Sequence, residues 1–247
     1  MSLSPDVVQK LKSNDAGQVK AALDEVRIAG KGAASVAPEV AAVLDRGVSV
    51  PLAIDVLDTL ADLEVDATNT SILPYMQHRN VKVRQAATKA LVHTKGPAAA
   101  KALRHGLSDP DGMVRGVAAS GLGTLKAKDA VPDLFIALEH RVAEAAAALG
   151  QLCNAEECEK LMTYLGRQPF DVISGGLDQI LFRPTAEVSE DTKVKVIGRV
   201  RELGTPEANK FLRDVQKRWR PKDSPRVKQA IEQGVQATGG SSVGGDK

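Results

Sequence analysis

The chain has 247 residues, 43% of them hydrophobic and 26% charged, and a formal net charge of +2. That is globular composition, enough for one large or two small domains, and not a disordered polyelectrolyte. No apolar run reaches the ~18–20 residues that span a bilayer, Met1 to Asp6 carry no signal-peptide pattern, and two cysteines make no disulfide framework. Only 3% of residues are aromatic, whereas 34 are alanine, which favours closely packed helices over a sheet.

In chain order, the spacing predicts a short capping helix over 4–13. Helix pairs follow at 15–30 with 36–46, 51–64 with 70–79, 81–93 with 97–107, 112–125 with 130–140, and 142–152 with 155–166. A helix over 171–182 opens a sixth unit. After 188 the spacing changes, and three further helices are expected at 189–203, 206–219 and 225–236. The turns carry helix-start chemistry at Asp111, Asp129, Pro38 and Thr205-Pro206. Glycines 96, 123 and 150 stand where the first helix of a pair is expected to end.

The pairs are copies of one another. An offset of 31 residues lays Val83, Arg84, Ala87 and Leu91 on Val114, Arg115, Ala118 and Leu122, and Leu103 and Leu107 on Leu134 and Leu138. An offset of 27 carries Ala118, Leu122, Leu134 and Leu138 onto Ala145, Leu149, Leu161 and Leu165. A short helix pair cannot bury both faces alone, but it can when stacked on its neighbours. The expected fold is therefore all-α: an α-solenoid of about six antiparallel helix pairs over 1–187, a divergent basic helical cap over 188–237, and a flexible Gly/Ser tail over 238–247.

Residues 109–125, DPDGMVRGVAASGLGTL, resemble a HEAT repeat in its short prokaryotic form, the type named after phycobilisome lyases. Asp109-Pro110-Asp111, Val114-Arg115, Ala118-Ala119 and Leu122-Gly123 carry the match, and Pro132, Leu134 and Leu138 extend it. It covers roughly 15–182 and is strongest over 80–166. Val19-Lys20 replaces the Val-Arg pair in the first unit, and Val142 stands at the arginine position of the fifth. Arg84 and Arg115 are expected near the inter-repeat turns, paired with aspartates such as Asp109 or Asp111.

In that family the second helices line the concave face, which makes Arg104, His105, Phe135, Ile136, Met162 and Tyr164 the candidate partner-binding residues. Large apolar side chains aligned across repeats would form a docking patch. One residue of helix rotation decides between that patch and a core position.

Charge is uneven. Residues 1–78 hold 6 basic and 11 acidic side chains, and residues 193–228 hold 12 and 4. Asp55, Asp58 and Asp62 share one helix face, as an acidic docking strip or a solvated outer face. One straight face does not converge on a metal. Lys217, Arg218 and Arg220, beside Trp219, form a secondary basic patch, as a phosphate or anionic-surface contact or a solvated cap.

Cys153 and Cys158 are read as reduced packing residues. Histidines 78, 93, 105 and 140 fall in separate units without metal-ligand spacing. No nucleophile elbow, phosphate loop or dinucleotide fingerprint occurs. The His-Glu pairs of HEAT-like hydroxylases are missing, and aromatics are too few for HEAT-like DNA glycosylases. The reading is a cytoplasmic, bacterial, non-enzymatic protein-interaction scaffold or adaptor with no cofactor, no metal and no membrane span, its partner a protein. The alternatives are a chromophore-lyase-like subunit, by family resemblance, and nucleic-acid binding through the basic C-terminal unit.

Overall fold

The computed structural model describes residues 3–220 and 224–239. Among them the chain is all-α, without a strand beyond an isolated bridge between Leu165 and Gln168. It divides into two compact units, Met1–Ala127 and Lys128–Lys247. The division falls between the two helices that the spacing joins as the fourth pair.

In the first unit, α1 (Val7–Leu11) leads into α2 (Ala16–Ala29), α3 (Ala37–Leu44), α4 (Val50–Leu63), α5 (Asn69–Ile72), α6 (Val81–Thr94), α7 (Gly96–Gly106) and α8 (Gly112–Thr124). The first helices α2, α4, α6 and α8 stack on one another in chain order, and the shorter second elements pack beside them. Val26, Leu44, Val56, Leu60, Val83, Leu91, Leu103, Val114 and Leu122 are buried. These are the positions at which apolar residues recur every three or four residues, so the period alone assigns the core face.

The ends follow local chemistry. Asp15, Asn80 and Asp111 accept hydrogen bonds from the N–H groups of Gly17, Lys82 and Val114, at 2.7, 2.9 and 3.0 Å, which satisfies donors that a helix start leaves open. Glu64 and Lys95 close α4 and α6 in left-handed geometry, with φ of 54° and 64°. Gly96 follows at φ 88°. Asn69 then donates to the Lys95 carbonyl at 2.7 Å and accepts from the Thr94 hydroxyl, so the buried Asn69 and Thr94 side chains are paired beneath this turn.

The second pair departs from expectation. The spacing predicts one helix over 70–79. Instead a single turn of α-helix, α5, is flanked by 3-10 segments at Asp66–Thr68 and Leu73–Gln77. Pro74 removes a backbone donor and fixes its own φ, so the α pattern gives way to a tighter turn.

The second unit holds α9 (Val131–Glu139), α10 (Ala143–Leu152), α11 (Ala155–Met162), α12 (Phe170–Phe182), α13 (Glu190–Glu202), α14 (Pro206–Arg218) and α15 (Pro225–Gly239). Asn154 and Glu157 form a reciprocal capping box at the start of α11. α10 packs on α9 and α12, and α15 lies against α13 and α14. Gly150 and Gly176 set the approach of α10 to α12: a Cβ on Gly150 would collide with the Gly176 carbonyl, and one on Gly176 with the Ala146 carbonyl. Gly150 therefore lies inside a helix, where close packing requires it, and does not end one. α15 runs two residues into the segment expected as tail, and Thr238 is buried with its hydroxyl donating to the Gly234 carbonyl at 2.8 Å. The rest of that segment, 240–247, lies outside the described residues.

Candidate binding groove

A groove of about 740 Å³ opens in the first unit between the Leu73–Gln77 turn and α7. This wall is five residues of 3-10 turn, where the spacing predicts a helix. The turn is held from behind. The Tyr75 hydroxyl donates to the Leu44 carbonyl at 2.7 Å, and burial pushes its pKa up. The Tyr75 ring stacks on His78.

Across the groove, Ala98, Lys101, Ala102 and His105 line one face of α7, at the three- and four-residue spacing that brings side chains together on a helix. Leu73 and Met76 are half-buried on the facing wall, and Ala102 and Gly106 are buried at the back. A Cβ on Gly106 would press on both Met76 and Ala118, so glycine sets how deep the groove runs.

One end is closed by an ion pair. Arg84 donates from Nε and Nη2 to the two carboxylate oxygens of Asp109, at 2.9 and 3.0 Å, and from Nη1 to the His78 carbonyl at 3.0 Å. Asp109 also accepts from the Asp111 N–H at 2.8 Å. The carboxylate holds the Arg84 guanidinium above its usual pKa. This is the pairing the sequence predicts. Arg115 donates instead to the carbonyls of Asp109 and Pro110, at 2.7 and 2.9 Å.

Of the six candidate partner-binding residues, His105 alone lines this groove. Arg104, half-buried on the same helix, makes an interaction of its own. In the second unit the expected apolar patch is not there. Phe135 is 4% exposed and Met162 5%. The ring of Tyr164 stacks on Phe135 at 6.1 Å, and Lys160 Nζ covers the same ring at 4.1 Å from its centroid. The buried face of α9 is thus one residue wider than the leucine ladder implies, and it takes in Phe135 with Leu134 and Leu138. Ile136 is 56% exposed and points away from that core. Tyr164 is half-buried and donates to Glu139 at 3.0 Å.

The acidic strip is engaged between neighbouring first helices. Asp62 pairs with Arg27 of α2 at 3.4 Å and Asp58 with Lys89 of α6 at 3.2 Å, while Asp55 is half-buried on the same helix. The basic patch is engaged too. Arg218 pairs with Asp178 and lies over the Phe182 ring, Lys217 pairs with Asp214 at 3.5 Å, and Arg220 makes an interaction of its own. Lys222, in the same basic run, lies outside the described residues. Cys153 and Cys158 are free and fully buried, and burial pushes both thiols up in pKa. Among the described residues no three His, Cys, Asp or Glu side chains group as a metal site, and no helix is long and apolar enough to cross a membrane.

Arg79 and Lys101, which face this groove, were not singled out from the sequence. The available signal was Lys101 one helical turn before His105 on the face opposite the core.

Helix pairs stacked on one another in chain order define an α-helical repeat protein of the α-solenoid class. Residues 37–119, about a third of the chain, match the family model described as HEAT repeats. The fold of the chain is similar to that of the complex of CpcE and CpcF of phycocyanin lyase from Nostoc sp. PCC7120, at 19% identity over 96% of each chain and a TM-score of 0.50. It is also similar to an engineered protein, at 16% identity over 94% of this chain and 67% of that one, TM-score 0.51. A chain in a homology model of the full-length AP-3 complex in an intermediate open conformation matches over 94% of this chain and 50% of its own, at 13% identity and TM-score 0.59. At these identities the likeness is one of fold. No curated protein matches the chain in sequence.

Proposed function

We propose that this protein is a non-enzymatic interaction scaffold that holds a segment of a partner protein in the groove between the Leu73–Gln77 turn and α7. The observation that carries this reading is the groove itself, a cavity of about 740 Å³ with apolar and cationic lining on a braced framework. Tyr75 and the Arg84–Asp109 pair already hold the walls, so binding costs little ordering on this side. The phycocyanin lyase neighbour is itself a complex of two chains, which supports association with protein. The groove replaces the Phe135–Met162 surface, whose apolar side chains are buried. The basic end supports nucleic-acid binding less, because Lys217 and Arg218 have carboxylate partners. The two buried, unbridged thiols support a reducing, cytoplasmic setting.

The test is capture of a partner from native lysate by the full chain, followed by hydrogen exchange on the purified complex. Slowed exchange at Leu73–Gln77 and Gly96–Gly106 is expected. Protection confined to other elements would overturn the reading.

A further inference from the structure

The groove has a charge pattern that selects among partner segments. Arg79, Lys101 and His105 face it, all three exposed. Among the described residues neither Arg79 nor Lys101 has a carboxylate partner. The one acidic side chain in the lining is Asp109, whose carboxylate is held by both arms of Arg84 and by the Asp111 N–H. Arg84 and Asp109 therefore cancel, and the field in the groove is that of the unpaired cations. A cleft with low-dielectric walls concentrates such a field. Between the cations the lining is apolar: Leu73 and Met76 on one wall, Ala98 and Ala102 on the other.

From this juxtaposition we infer that the groove takes a short acidic peptide segment carrying one large aliphatic side chain, with its carboxylates at Arg79 and Lys101 and its apolar side chain among Leu73, Met76 and Ala102. The inference rests on the scaffold reading and names the chemistry of the partner. Ala98 to His105 covers about 10 Å of helix at 1.5 Å per residue, the length of about three extended residues, so the recognised motif is that short. A basic or phosphate-free neutral segment gains nothing from the cations. A basic one also meets like charge, which costs affinity and excludes it as a partner.

The probe is a phage-displayed library of random twelve-residue peptides, selected on the full-length chain and, in parallel, on the Arg79→Glu, Lys101→Glu double variant. Both side chains are exposed, so the variant should keep the wild-type circular dichroism spectrum and melting temperature. The enriched peptides are expected to be net acidic with at least one Leu, Ile or Met. A synthetic copy of the leading peptide should bind the variant at least ~10-fold more weakly than the wild type, with affinity falling as salt rises. Enrichment of neutral or basic sequences, no enrichment, or equal binding to the variant would each overturn the inference. Hydrogen exchange on the peptide complex separates the two failures. Non-acidic peptides that protect Leu73–Gln77 and Gly96–Gly106 refute the acidic partner and leave the scaffold reading standing, whereas protection only elsewhere refutes both.

Discussion

Arg84 and Asp109, twenty-five residues apart, form a two-armed ion pair that ties the first turn of α6 to the residue two positions before the first cap of α8. Their side chains are 14% and 9% exposed, so water screens the pair only in part. Arg84→Met or Asp109→Asn alone is expected to lower stability by about 1.5–3 kcal/mol, the range for hydrogen bonds to charged groups, since each leaves the other charge without its partner. Denaturant midpoints of both single variants and the double variant check this. The double variant should lose less than the two singles added together.

Gly176→Ala tests the α10–α12 contact. The new methyl group meets the Ala146 carbonyl, which is backbone and cannot swing aside. A loss of about 1–3 kcal/mol is expected, as for overpacking of a dense interior, read as a lower melting temperature. Gly198→Ala is the control, because a Cβ there meets nothing and α13 gains helix propensity. An unchanged Gly176→Ala would mean the two helices can part without cost.

The buried thiols link stability to alkaline pH. Burial raises both thiol pKa values in the folded chain, above the ~8.5 of an exposed thiol. A group with a raised folded pKa stabilises fully below its unfolded pKa, and that stability is lost as pH rises toward the folded value. Melting temperature should therefore fall from about pH 8.5 upward, and fall less steeply in a Cys153→Ala, Cys158→Ala variant. Thiol reagents should label neither cysteine at neutral pH until the chain is unfolded.

Phe135→Ala and Ile136→Ser are adjacent substitutions with opposite expectations. Phe135 lies under Tyr164 and Lys160, and truncation should cost about 3–5 kcal/mol. Ile136 is 56% exposed, and its replacement should change stability by less than about 0.5 kcal/mol. Chemical denaturation of the two proteins side by side decides the rotation of α9.

Repeat offsets and apolar spacing were enough to read the helix pairs and the core leucines, because these depend on contacts that recur from unit to unit, and the Arg84–Asp109 pairing, because the arginine and the aspartate fall at adjoining inter-repeat turns. What the sequence did not disclose lies where one unit departs from the rest. Phe135 aligns with the half-buried Arg104, yet it is covered by Tyr164 and Lys160, a cover that belongs to the fifth unit alone. One wall of the groove is the 3-10 turn at Pro74, where the spacing predicts a helix, and Arg79 follows that turn at a position that no offset marks. Gly150 aligns with Gly123 and carries a different duty, set by Gly176, whose proximity only the folded chain reveals.

The Leu73–Gln77 turn also gives the two walls of the groove different mechanical characters. α7 is an eleven-residue α-helix whose inner face is locked by Ala99, Leu103 and Gly106. The opposite wall is five residues of 3-10 geometry with no fully buried side chain, held by weaker hydrogen bonds that eclipse rather than stagger its side chains. Lys101 and His105 therefore keep their spacing through the backbone of a single α-helix, whereas Arg79 takes its place from side-chain anchors next to it, the Tyr75 hydroxyl on the Leu44 carbonyl and Arg84 on the His78 carbonyl.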